Sequence, residues 1–184
     1  AAWVHSLCVQ KLCEISLQVY LAADNPFDVV CRPEVCERCQ ARESFHRHGV
    51  YARYVQDSLC KVARFLCKAC RLTVSVLPAF VLPYRARLVR DVDRYFQATE
   101  EERRNLSGAD TLRQYWRQWG QHSATLRRTG WPAIRALAHD PQEYWRQLGR
   151  AAGSMLLAQV QLVHRFGQSL LRRYACHRAP PCAA

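Results

Sequence analysis

Cys36-Glu37-Arg38-Cys39 and Cys67-Lys68-Ala69-Cys70 form two C-x-x-C pairs with 27 residues between them. Thiolate sulfur is a soft donor, and a two-residue gap lets both sulfurs of one tight turn reach one ion. Two such turns therefore supply the four ligands of a tetrahedral Zn²⁺ site. With all four positions filled by protein, the ion is expected to be structural rather than catalytic. Four thiolates around Zn²⁺ leave surplus negative charge, and Arg38, Arg42, Lys68 and Arg71 stand beside the turns to offset it. A redox dithiol fits less well, because it calls for a single pair in a βαβ setting. Disulfide pairing of the same cysteines calls for an oxidising compartment.

Such a site needs strands to bring its turns together. Phe45 to Val55 is rich in aromatic and β-branched residues and alternates in character, which predicts a strand. Residues 60–66 predict a second strand running into Cys67, and 73–77 a third leaving Cys70, with a turn at Gln56-Asp57-Ser58. Before them, Val4, Leu7, Cys8, Leu12, Ile15 and Val19 recur at three- and four-residue steps, so residues 3–22 read as an amphipathic helix. A strand at 15–21 is the second choice, since Ile15, Leu17, Val19 and Leu21 also alternate.

From Pro83 the period lengthens to that of a helix. Residues 84–97 predict one with Leu88, Val89, Val92, Tyr95 and Phe96 inward, and Thr99 caps a short second one beginning with Glu100, Glu101 and Glu102. Ser107-Gly108-Ala109-Asp110 opens a third, running to about Leu126, which buries Leu112, Tyr115, Trp116 and Trp119. Trp131-Pro132 starts a short helix. Asp140-Pro141 starts a long one that would run about 45–50 Å and carries an apolar stripe from Tyr144 to Leu170. That stripe must be covered, either by this chain or by a second copy in a homodimer. The fold class expected is α+β: an N-terminal anchor (1–27), a zinc ribbon (28–83), helical regions (84–130 and 131–178) and a disordered tail (179–184).

Charge is uneven. The chain carries a formal +12 with a pI near 9.6. Residues 1–30 hold one Lys against three acids, 31–85 ten basic residues against four acidic, and 86–184 sixteen against eight. Such an excess, without an apolar run long enough to span a membrane, points to nucleic acid before membrane. The ten cysteines, read as reduced thiols with no signal-peptide pattern in front, suggest a reducing cytoplasm. Cys8, Cys13, Cys31, Cys60, Cys176 and Cys182 read as small hydrophobes or incidental thiols, Cys31 and Cys60 being the nearest substitutes for a ligand.

The runs Cys36-Glu37-Arg38-Cys39-Gln40-Ala41-Arg42, Phe45 to Val55, Val62 to Cys70, Thr73 to Pro78 and Leu82-Pro83-Tyr84-Arg85 resemble the zinc-ribbon head of bacterial transposase-related proteins found near insertion sequences. The likeness covers about residues 28–90. It implies a helix-turn-helix after the ribbon, with helices at 84–97, 99–106 and 109–126, the third a recognition helix on double-stranded DNA. Arg113 and Arg117 would then fork onto guanine edges and Gln114 and Gln118 pair adenine edges. Arg47, His48, Arg53, Arg64, Lys68 and Arg71 on the ribbon would contact phosphate. Tyr51 and Tyr54 could stack on unpaired bases, core packing being the plainer expectation. The resemblance also implies a transposase as partner, this chain being accessory to it or derived from it.

Catalysis is not expected. A two-metal transposase holds three carboxylates on a sheet, whereas Asp91, Asp93, Asp110, Asp140 and Glu143 lie in helical sequence. A nicking site built on His46, His48 and Tyr51 would have an apolar residue between the histidines, and Arg47 stands there. The alternative to a DNA-binding protein is a zinc-stabilised adaptor that binds another protein through its last helix.

Overall fold

In the computed structural model, which describes residues 9–55, 58–83, 85–128 and 140–171, a mixed four-stranded sheet is followed by five helices, an α+β arrangement. β2 (Phe45–Val55) and β3 (Ser58–Cys67) make a long antiparallel hairpin, and β4 (Thr73–Pro78) runs antiparallel to β3. β1 (Val9–Cys13) closes the far side of β4 in parallel, giving the order β1-β4-β3-β2. The inner strands are the most apolar, and Val62, Ala63, Val74 and Leu77 have no exposed surface. β2 sits at the edge, where a bulge between Arg47 and Gly49 shifts the register and His48 is exposed.

The helices are α1 (Leu17–Ala22), which precedes the hairpin, then α2 (Val89–Gln97), α3 (Glu100–Arg104), α4 (Ala109–Arg128), α5 (Pro141–Ala152) and α6 (Met155–Phe166). Local chemistry fixes their ends. Thr99 and Glu102 close a reciprocal capping box on α3, Asp140 caps α5 ahead of Pro141, and Ser154 caps α6. Around them an aromatic core forms: Phe96 meets Trp116 and Trp145 edge-on, and Trp119 stacks on Tyr144. Both fully buried indoles keep a hydrogen-bond partner, Trp119 donating to the Pro141 carbonyl and Trp145 to Asp93, each at 2.7 Å.

Two buried clusters result, one under the sheet and one among the helices. α6 contributes to both, Val160 and Val163 facing the first and Ala158 and Leu162 the second. Gln159, fully buried between them, donates from Nε2 to the carbonyls of Ala79 (2.8 Å) and Val81 (3.1 Å). Among the described residues no helix is long and apolar enough to cross a membrane.

Three sequence expectations change. Of the helix expected over 3–22, the described residues form a strand, Val9–Cys13, followed by a helix, Leu17–Ala22, which also takes most of the alternative strand at 15–21. β4 offers an open hydrogen-bonding edge that Val9–Cys13 fills, and Ser16 then caps α1 by accepting from Val19 N–H. Val19, expected inward, is 54 % exposed, while Tyr20 is buried and donates to the Lys61 carbonyl. The helix expected from residue 84 starts only at Val89, because Leu88 is held in a bridge with Val81 and Val89 N–H donates to Phe80. The single long helix from Asp140 is two. Gly153 takes φ +88°, the chain folds back, and Tyr144, Trp145, Leu148, Val160, Val163 and Leu170 are covered within this chain. Residues 3–8, the Gln56-Asp57 turn, the Trp131-Pro132 helix and the tail from 179 lie outside the described residues, as do Cys8, Cys176 and Cys182.

Candidate metal centre

Two turns of the same design carry the four cysteines. In the first, Cys36 N–H donates to Ala41 and Gln40 N–H donates back to Cys36. In the second, Cys67 N–H donates to Leu72 and Arg71 N–H back to Cys67. The residue after each second cysteine adopts the left-handed conformation, Gln40 at φ +60° and Arg71 at φ +62°. Such turns usually place glycine there, because a Cβ crowds the following carbonyl. Neither position is glycine, so nothing in the residue types announces the geometry.

The turns are sewn together at Ser44. Its carbonyl accepts from Lys68 N–H at 2.8 Å, and its hydroxyl lies 3.1 Å from Cys67 Sγ. The register Phe45↔Cys67 then sets one turn over the other. The four sulfurs lie within 4.8 Å of one another, with Cys36 to Cys70 at 3.5 Å and Cys39 to Cys67 at 3.7 Å. A tetrahedron with metal–sulfur bonds of about 2.3 Å has edges of about 3.8 Å. These four cysteines can hold a metal ion, and among the described residues they are the one cluster of this kind. Cys36 and Cys67 are fully buried, Cys70 half-buried and Cys39 exposed.

Proton affinities inside the cluster differ because the environments do. Burial raises the Cys36 thiol to about 12, against the N–H groups of Cys39 and Arg38 that point at its sulfur. Burial acts upward on Cys67 too, but the Ser44 hydroxyl and the N–H groups of Cys70 and Ala69 outweigh it and bring that thiol to about 6. The pattern repeats the symmetry of the turns, since each first cysteine receives N–H groups from its own knuckle. Ser44 breaks that symmetry and is the contributor that residue spacing did not reveal. Of the remaining cysteines, Cys60 is buried in the sheet core, Cys13 half-buried against it and Cys31 exposed, all apart from the four.

The ten residues proposed for DNA contact fall in distinct settings. His48, Lys68 and Arg71 are exposed. Arg47, 61 % exposed at its side chain, lies over the Phe27 ring and 3.6 Å from Asp28. Arg64 is half-buried with its guanidinium over Tyr51. Arg53 is half-buried and donates to the carbonyls of Leu82 and Arg85, fastening the edge strand to the chain that leaves the sheet. On α4, Arg113 pairs with Asp110 at 3.2 Å, and Gln118 accepts from Arg85 at 2.6 Å. Gln114 and Arg117 are exposed. Tyr51 is half-buried, whereas Tyr54, for which core packing was expected, is 70 % exposed.

α2, α3 and α4 overlap the three helices expected after the sheet. α3 buries no residue and is held through Arg103, which donates to Tyr95 and Phe96 carbonyls and lies over the Trp116 ring. The turn into α4 contains Gly108 at φ +73°, where an added Cβ would run into the Arg87 guanidinium. No family model, curated protein or solved structure matches the chain.

Proposed function

We propose that Cys36, Cys39, Cys67 and Cys70 hold one Zn²⁺, and that the metal-braced sheet is a DNA-binding platform whose contact surface is the β2–β3 hairpin and the second knuckle. Four thiolates at tetrahedral spacing suit Zn²⁺ and leave no open position for a reacting water. The ion's part is to pin the two knuckles together, and no catalytic step is assigned to the chain.

One observation carries the DNA reading. Residues 45–71 contain Arg47, Arg53, Lys61, Arg64, Lys68 and Arg71 against a single acid, Asp57. The helical half holds more arginines, but it also supplies their partners. Among the described residues, five of the six ion pairs are there, engaging Arg90, Arg104, Arg113, Arg146 and Arg150. Exposed pairs add little stability, yet each brings a carboxylate beside the guanidinium and weakens its field toward a polyanion. This favours the sheet over α4, where Arg113 and Gln118 already have partners, so the helix-turn-helix is the weaker reading here. Resemblance over residues 28–90 adds that the DNA belongs to a mobile element, with the chain accessory to or derived from its transposase.

The test is the affinity of the zinc-loaded chain for duplex DNA as a function of salt. A log–log slope well below zero is expected, moving toward zero by about 0.9 for each phosphate contact removed in Lys68→Ala or Arg71→Ala. Arg113→Ala is expected to leave it unchanged. A slope near zero overturns the reading and returns the chain to the protein-adaptor class.

A further inference from the structure

The outer row of β2 differs from an ordinary solvated strand. Val50, Ala52 and Tyr54 alternate along one face, and Tyr54 is 70 % exposed, more than any other exposed large hydrophobic residue described. Leu59, its direct partner across the hairpin, is 46 % exposed, and Val50 is 44 % exposed. Sheet edges are commonly protected by charge or proline against unwanted pairing. Here an aromatic ring and two aliphatic side chains stand in that place, with exposed Lys61 opposite Ala52 and exposed His48 at the bulge.

We propose that this row, centred on Tyr54, binds single-stranded nucleic acid, the ring stacking on an unpaired base while the hairpin's cations follow the backbone. The inference rests on the polyanion reading above and names the form of nucleic acid the hairpin takes. Charge decides the occupant. Of the stretch's six Lys or Arg against one acid, Arg47 and Lys61 share the face of Tyr54 while Arg53 and Arg64 lie on the other, and that excess of cations complements a phosphate chain. An exposed aromatic ring among cations finds a matching partner in a base face, which duplex stacking hides and single strands offer. Tyr51 takes no part, because it is half-buried with the Arg64 guanidinium over its ring. Tyr54 has no comparable cover among the described residues.

Anisotropy titrations of labelled oligothymidylate, and of a duplex of the same length, with the zinc-loaded full chain test the idea. The single strand is expected to bind more tightly than the duplex. Tyr54→Ala is expected to weaken it by about 5- to 150-fold and to move duplex affinity less than about twofold. Tyr54→Phe keeps the ring and is expected to keep the affinity. Zinc content confirms that each variant is folded at its metal centre. Salt-sensitive binding that Tyr54→Ala leaves unchanged, or that favours duplex, overturns the stacking site while leaving the polyanion reading in place. Binding to neither form overturns both.

Discussion

The sheet half and the helical half are built on opposite economies of charge and packing. Around the hairpin, cations crowd onto a short edge-exposed unit whose two knuckles meet at four sulfurs. Among the helices, arginines stand beside acids and an aromatic core supplies the cohesion: Phe96, Trp119, Tyr144 and Trp145 are all buried. A unit with its own buried core that is also braced by a metal, as proposed for the sheet, can leave its surface charge unbalanced and its edge apolar, because its shape does not depend on them. One held by packing without a metal gains from neutralising its own surface. The difference is what the proposed function draws on, with nucleic-acid contact assigned to the sheet and support to the helices.

The largest effect expected to break this contrast is loss of the proposed zinc. Apparent zinc-binding energies of about 10–16 kcal/mol rival the stability of a whole domain. Chelation or Cys36→Ser should therefore abolish amide protection in β2, β3 and the two knuckles, while the amides of α4 and α5 exchange far less. Hydrogen exchange with metal analysis, at one Zn per chain before treatment, checks it. Uniform loss of protection would show that the halves do not differ in this way.

Next is the converse lesion. Trp145→Ala empties the centre of the aromatic core and is expected to cost about 3–5 kcal/mol, lowering the denaturant midpoint of helix loss without lowering zinc content. The seam comes third. Gln159→Ala leaves the Ala79 and Val81 carbonyls without their donor and is expected to cost about 1–3 kcal/mol. Because α6 belongs to both clusters, the same variant should separate the two unfolding transitions seen by tryptophan fluorescence and by zinc release.

The smallest change sharpens the account of the knuckles. Gln40→Gly relieves a left-handed residue at the cost of one side-chain hydrogen bond to Glu37. It is expected to gain about 0.5 kcal/mol, read as a higher midpoint of zinc-coupled unfolding. The same substitution at its neighbour Ala41, whose φ is not positive, should lose stability.

Much of this protein is written in local patterns. Two C-x-x-C pairs announced the cluster, alternation announced β2, and Thr99 with Glu102 announced the start of α3, because each depends on chemistry within a few residues. The same locality explains the failures. Val9–Cys13 carries no alternation and became a strand only because the edge of β4 was free, whereas the stretch that does alternate, Ile15 to Leu21, turned into α1 from Leu17. The stripe after Asp140 reads as one rod until Gly153 turns it back on itself, since glycine tolerates a helix interior as well as a turn.

Residue types alone thus determined that four thiolates would be available as ligands, that a basic hairpin would separate them, and that helices would follow. Tertiary structure decided which cations remain facing solvent. Arg53 and Gln118 look as able to meet DNA as Lys68 in the sequence, yet Arg53 fastens the Leu82 and Arg85 carbonyls and Gln118 answers Arg85. A side chain's availability depends on what folding brings beside it, from 29 to 33 residues away in these cases, and no local pattern records that distance.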